Sequence, residues 1–305
     1  MQGLVCRLGQ HAVFEEASGL LESMLGIDLS AKQIQRVSEW YGSQINPIVE
    51  ANHTQYIPQL PAQKKHERTY VMVDGSMVYT REEKWKEMKL ARIFRESQII
   101  DIQSGRNEVA QSLYVSHLGS VDRFFPKLER HLSAVGSPKV FVADGAKWIW
   151  NWVEDNYPGS TQVLDFYHAV EKIETVCKLH FAEDGKRHQW LSEQRRLLLD
   201  DQVSTVIRNL QAMRTHRHDA RQAIDTAIHY YLEHEDRMRY KTFRSQGLLI
   251  GSGPIEAAHR NVIQHRLKLS GQKWSIAGAQ AIADLRCYNQ SGAWPIVEKL
   301  IKLAA

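Results

Sequence analysis

Cysteine is scarce: Cys6, Cys177 and Cys287 are the only three in 305 residues, widely separated and odd in number. With no Cys-x-x-Cys pair, neither a disulfide framework nor a zinc ribbon is expected, and a reducing cytoplasm is the natural setting. Long apolar runs are missing as well. None approaches the roughly 20 residues that cross a bilayer, and the N-terminus lacks a signal-peptide pattern, so no membrane partner is expected. Proline is thin, 8 in all and none between residues 167 and 253, which leaves that stretch free to be helical. A strong excess of either charge is also absent. The formal net charge is +4, too small by itself to indicate nucleic acid. Its distribution says more. Across residues 239–273, Arg239, Lys241, Arg244, Arg260, Arg266, Lys268 and Lys273 are set against the single carboxylate of Glu256, a basic stripe suited to a phosphate-bearing partner.

That lone carboxylate marks the most informative segment, Gly251-Ser252-Gly253-Pro254-Ile255-Glu256-Ala257-Ala258-His259-Arg260. It reads as a helix start, with Gly253 as N-cap and Pro254 at the first helical position. The helix is expected to run on through Ile263 and Leu267. Glu256 then falls in the first turn, where the exposed amides favour a carboxylate. Helix-end electrostatics alone would account for it, unless other acidic residues join it.

Along the chain, residues 13–43 read as two helices around a glycine turn. Phe14, Ala17, Leu20, Leu21, Met24 and Leu25 form one apolar face, and Ile34, Val37, Trp40 and Tyr41 the next. Ser30 is the expected N-cap of the second helix, which exposes Lys32, Gln33, Gln35 and Arg36. That outline fits a helix-turn-helix and equally a plain helical hairpin. Residues 44–68 look like a helix tail and then a linker. Tyr70-Val71-Met72-Val73 is β-rich, is expected to end at Asp74-Gly75, and resumes at Met77-Val78-Tyr79. Further strands are expected at 87–94, 112–116, 139–144 and 162–164, with helices at 120–132 and 146–155. From 165 to about 240 everything reads as helix, and a last helix is expected at 275–288. Three strands, then helix, strand, helix, strand describe a mixed α/β sheet.

Two aspartates hold comparable positions: Asp74 and Asp144 each close an expected strand and precede a glycine. If those strands are neighbours, the two carboxylates reach one ion, and Glu256 supplies a third. Three carboxylates without a thiol or imidazole cluster suit Mg²⁺ or Mn²⁺. Two such ions about 3.5–4 Å apart drive in-line phosphoryl transfer. Singly, each residue has a plainer reading: Asp74-Gly75 as a hairpin turn, Asp144 as a helix cap, and Asp165 with His168 as a cap beside a packed imidazole.

The joint order of Val71-Met72-Val73-Asp74-Gly75, Trp85-Lys86-Glu87-Met88-Lys89, Val142-Ala143-Asp144-Gly145-Ala146, Asp165-Phe166-Tyr167-His168 and Gly251-Ser252-Gly253-Pro254-Ile255-Glu256 resembles the bacterial insertion-sequence DDE transposases of the ISKra kind, relatives of the Mutator-like superfamily. The likeness runs from about residue 15 to 290. It implies an RNase H-like core, parted by a helical insertion before the helix bearing the glutamate. The implied segments are a helical DNA-binding region at 1–60, a linker at 61–68, the first part of the core at 69–165, the insertion at 166–246 and C-terminal core helices at 247–305. By the same resemblance Asp74, Asp144 and Glu256 are the catalytic, metal-binding triad for two Mg²⁺ or Mn²⁺ ions. Asp165 and His168 match an Asp-x-x-His signature that supports the site. His259, Arg260, Arg266, Lys268 and Trp274, with Lys32, Gln33 and Arg36 on the N-terminal helix, would face DNA or support the triad. The implied activity is cleavage at transposon ends and strand transfer into double-stranded target DNA. It would be performed by a homo-oligomer in the cytoplasm, associated with the nucleoid. The alternatives are a nuclease of the same fold that cuts without joining and an inactive, DNA-binding relative. Members of this group usually carry more sequence ahead of the helical pair, often with a cysteine-rich ribbon, so weak recognition of the ends is expected.

Overall fold

The computed structural model describes every residue except 52–53, 104–105, 137 and 304–305; those positions of the expected segments 1–60, 69–165 and 247–305 lie outside the described residues. The chain divides into two compact units, residues 1–139 with 254–305, and residues 140–253.

The first unit begins with three helices, α1 (Gln2–His11), α2 (Phe14–Leu25) and α3 (Ala31–Ser43). Gly26 closes α2 at φ 63°. Ser30 caps α3 as expected, its hydroxyl accepting from the Gln33 amide while the Gln33 side chain accepts from the Ser30 amide. Val5, Ala17, Leu21 and Ile34 form the cluster between these helices. Helix α1 packs against α2 and α3 and decides which face is inward. Met24, Leu25 and Trp40 therefore lie outside, 75%, 54% and 48% exposed, contrary to expectation. A short α4 (Ile45–Glu50) follows.

Strands β1 (Thr69–Thr80) and β2 (Lys84–Arg95) pair antiparallel over their full length, Thr69 opposite Arg95 and Thr80 opposite Lys84. The strand expected to stop at Asp74-Gly75 runs straight through, so Asp74 sits mid-strand opposite Leu90 rather than at a strand end or turn. A two-stranded ribbon, β3 (Ile99–Gln103) with β4 (Arg106–Val109), was not anticipated. Strand β5 (Leu113–Leu118) pairs antiparallel with β2, giving the order β5-β2-β1, and α5 (Val121–Leu132) follows.

The second unit is built on a right-sized βαβ step: β6 (Lys139–Ala143), α6 (Lys147–Asn156) and β7 (Thr161–Leu164), with β6 and β7 parallel. Then come α7 (Phe166–His180), α8 (Asp184–Leu199), α9 (Val203–Ala212), α10 (His218–His234) and α11 (Tyr240–Ser245). This is the helical stretch that the missing prolines allow. The fully buried Tyr231 ties α10 to α7 by donating to the Ala169 carbonyl at 2.5 Å.

The chain returns to the first unit through α12 (Gly253–Ala258), a π-helical turn over His259–Gln264, α13 (His265–Leu267), α14 (Ile276–Gln290) and α15 (Trp294–Leu303). The helix expected to continue evenly to Leu267 thus changes its winding at His259, a distortion that often accompanies function. Helix α14 lies so close to α3 that a Cβ on Gly42 would stand 2.3 Å from the Ala281 carbonyl oxygen. The buried Arg286 donates to the carbonyls of Gln10 and Val262. The N-terminal helices thus pack within the first unit. The architecture is mixed α/β, and no helix among the described residues is long and apolar enough to cross a membrane.

Candidate functional site

In the first unit the sheet and α12 bring two of the expected residues together. Asp74 is half-buried on β1, its Oδ1 accepting the Gly75 amide at 2.7 Å. Its Oδ2 lies 3.4 Å from Nε2 of His259. The imidazole is buried, and neither ring nitrogen makes an aligned hydrogen bond. Burial, reinforced by the Lys268 charge, holds His259 down to about 4, so it is neutral. Glu256 stands three residues earlier, at the spacing that shares a helix face, and is exposed.

Two buried cations fix this arrangement. The Arg92 guanidinium donates to the Pro254 carbonyl at 2.7 Å, to Ser112 Oγ at 2.8 Å and to the Val109 carbonyl at 3.2 Å. It therefore pins the start of α12 to β2. Lys89 donates to Glu87 and to the Gly119 carbonyl, both at 2.6 Å. Glu87 in turn occupies the space over Gly75, where a Cβ would meet its carboxylate at 2.3 Å. Here the glycine after Asp74 serves close approach, not a turn.

In the second unit Asp144 follows β6 directly. Its Oδ1 accepts the Ala146 amide at 2.9 Å, and its carbonyl accepts from Trp150 Nε1 at 2.6 Å. The expected cap is thus a local turn, and the outer oxygen is not committed to it. Gly145 admits the Tyr230 ring, which a Cβ would meet at 2.1 Å. The Tyr230 hydroxyl is buried with no hydrogen-bond partner. Burial first, and then the charges of Asp144, Asp165 and Glu171, push its ionisation well above the usual range.

Asp165 is wholly buried and caps α7, accepting from the His168 amide at 2.6 Å. The same oxygen lies 3.0 Å from His168 Nδ1, and the other accepts the Ser252 amide. Burial would raise this carboxyl, but the hydrogen bonds from His168 and Ser252 outweigh it and keep it low. The bond to Asp165 lifts His168 to about 9, with the Asp144 and Glu171 charges adding to it. His168 is half-buried and carries a positive charge at neutral pH, so it can meet a phosphate oxygen.

The remaining expected residues separate by exposure. Lys32, Gln33 and Arg36 line the outer face of α3, although Gln33 is engaged with Ser30. Arg260 and Lys268 are exposed. Arg266 and Trp274, expected to face DNA, are interior. The Arg266 guanidinium is 1% exposed, stacked 4.5 Å from the Phe14 ring and 4.8 Å from the Trp274 ring. Its Nε donates to the Gly9 carbonyl at 3.1 Å. The pair holds α2 to the C-terminal segment, a role that the basic stripe concealed. Sequence reasoning assigned no role to Arg92, Tyr230 or Ser252. Only the glycine of Asp74-Gly75 and of Asp144-Gly145 hinted at the close approaches of Glu87 and Tyr230.

Asp74 and Glu256 in the first unit, and Asp144 in the second, are oxygen donors of the kind a hard cation takes. Among the described residues no group of three or more His, Cys, Asp or Glu side chains is gathered to hold a metal unaided. A cation here would complete its shell with water and phosphate, as Mg²⁺ ordinarily does. Compared with protein-family models and with curated proteins, the chain matches none.

Proposed function

We propose that this chain is a DDE transposase with an RNase H-like core, cleaving DNA at transposon ends and joining the freed 3′-hydroxyl to a target strand. The observation that carries the reading is the pairing of Asp74 with His259, a buried neutral imidazole borne by the same helical segment as Glu256. The antiparallel order β5-β2-β1, followed by α5 and the parallel pair β6-β7, supports an RNase H-like core. The run from α7 to α11 supports the helical insertion.

Asp74, Asp144 and Glu256 would hold Mg²⁺ through carboxylate oxygens; when bound, it activates the attacking oxygen and stabilises the leaving one. His259 stays neutral and keeps water from the inner side of Asp74. The His168 cation, fixed by Asp165, binds a backbone phosphate. The double-stranded partner is held further by Arg260, Lys268 and the outer face of α3. Binding therefore weakens steeply with salt.

The test uses linear DNA carrying the sequences that flank the coding region, with Mg²⁺, and a parallel reaction with pre-cleaved ends. The wild type nicks the ends and yields joined product. Asp74→Asn, Asp144→Asn and Glu256→Gln lose both steps while keeping the melting temperature and DNA retention. Full activity in Asp144→Asn would reject the assignment. Cleavage without joining would make the chain a nuclease of this fold, and retention without any Mg²⁺-dependent product an inactive DNA-binding relative.

A further inference from the structure

Two distant stretches of the chain meet at the tip of the β1–β2 hairpin. Trp85 begins the first, and the segment after Arg266 carries the second, some 180 residues later. The junction is a parallel bridge between Thr80 and Trp274. The Arg81 amide donates to the Trp274 carbonyl at 2.8 Å, the Trp274 amide to the Tyr79 carbonyl at 3.3 Å, and Arg81 Nε to the Lys273 carbonyl at 3.0 Å. Between hairpin and segment lies a groove of about 350 Å³, with Tyr79, Trp85, Leu267 and Leu269 as its apolar walls and Lys268 and Lys273 at its rim.

The groove has features that a packing surface does not need. Trp85 is 61% exposed, yet its ring is braced edge-on by Tyr79 at 5.3 Å. Gly271, at φ 76°, turns the opposite wall. Lys268 and Lys273 are exposed and, among the described residues, have no carboxylate partner. An exposed indole in a groove also lined by two lysines without a carboxylate partner matches a nucleotide in both parts: a flat base to stack on the ring and phosphates to meet the charges.

We propose that this groove takes one unpaired nucleotide of a DNA strand, its base stacked on Trp85 and its flanking phosphates on Lys268 and Lys273. The proposal deepens the transposase reading and rests on it for the identity of the nucleic acid. A base held out of the helix here would fix the position of the adjoining backbone relative to Asp74.

The experiment compares a short duplex carrying one unpaired 2-aminopurine at its end with the same duplex fully paired, in EDTA so that nothing is cut. The wild type binds the unpaired form more tightly and alters the 2-aminopurine emission. Trp85→Ala loses that preference on the order of tenfold or more, and Trp85→Phe keeps much of it. Lys268→Gln weakens both duplexes alike. Trp85 is exposed, so unchanged melting temperatures are expected throughout. A preference that survives Trp85→Ala would overturn the proposal. Equal binding of both duplexes by the wild type would also overturn it, leaving the groove to a protein segment or a second copy of the chain. The catalytic reading is scored separately by cleavage in Mg²⁺. If no cleavage occurs but the preference depends on Trp85, the groove stands and the transposase falls; cleavage with no effect of Trp85 does the reverse.

Discussion

The buried carboxylate of Asp165 accepts the backbone amide of Ser252, 87 residues further along the chain. The same side chain caps α7 and orients His168. Phe166 adds a second tie, its amide donating to the Ile250 carbonyl at 2.9 Å. One carboxylate thus fixes the His168 imidazole and the loop that precedes α12. Glycine at 251 lets the Tyr167 ring approach closely, since a Cβ would stand 2.9 Å from it.

Asp165→Asn should release both. His168, lifted to about 9 by its bond to Asp165, should fall toward 6.5, as read by NMR titration of its ring protons. Because the folded value lies above the unfolded one, the stability contributed by this pair is complete below pH 6.5 and is lost as pH rises through 9. The gap in urea midpoint between wild type and variant should narrow across that window. An unchanged His168 titration would show that the carboxylate acts only as a helix cap.

Acid should weaken the fold by a separate route. Burial holds His131 and His234 down to about 4, whereas the unfolded chain protonates them near 6.5. Between those values the unfolded state binds more protons, so stability falls as pH drops from 6.5 toward 4, by up to about 1.4 kcal/mol per pH unit for each group. His131 bonds the Lys127 carbonyl at 3.0 Å, which favours the charged ring, but burial and the nearby charges of Lys127 and Arg130 outweigh it. His131→Gln should flatten the dependence of the urea midpoint on pH; an equally steep curve in the variant would refute the cause.

Much of this architecture was legible because strand-forming runs such as Val71-Met72-Val73 and Val140-Phe141-Val142 are dense in β-branched and aromatic residues. The proline-free stretch after 167 was equally readable as helix. The first hairpin was misread at one point for a physical reason. Asp74-Gly75 looks like a turn, while the real turn at 81–83 contains no glycine, and Lys84 itself takes φ 59° beside it. Candidate residues could be nominated from the sequence, but their surroundings could not. No local pattern could show that Arg92 would reach Pro254, 162 positions away, or that the Arg266 cation would be stacked between two rings. A basic residue in a basic stripe reads as surface until the fold supplies its partners.

Gly145→Ala tests how tightly the turn after Asp144 is packed. The added methyl would stand 2.1 Å from Cε2 of Tyr230, whose ring is also held edge-on by His234 at 4.9 Å. The expected cost is about 1–3 kcal/mol of stability, with cleavage falling further because Asp144 shares the turn. Combining it with Tyr230→Leu should cost less than the two changes summed, since shortening the ring removes the clash. Strict additivity in thermal melts would show that the two residues do not meet.

Arg92 offers the sharpest separation of positioning from folding. Its guanidinium serves three acceptors at once, and burial lowers its basicity without discharging it. Lysine keeps the charge but lacks the planar fork, so Arg92→Lys should leave at least one buried carbonyl unpaired, at about 1–3 kcal/mol. If Pro254 is the acceptor lost, α12 loosens and Glu256 drifts. Strand cleavage should then fall by more than DNA retention does. In a Glu256→Gln background, which is already silent in cleavage, Arg92→Lys should lower the melting temperature by the same amount as in the wild type. DNA retention falling as much as cleavage would show that Arg92 supports the whole unit rather than the start of this one helix.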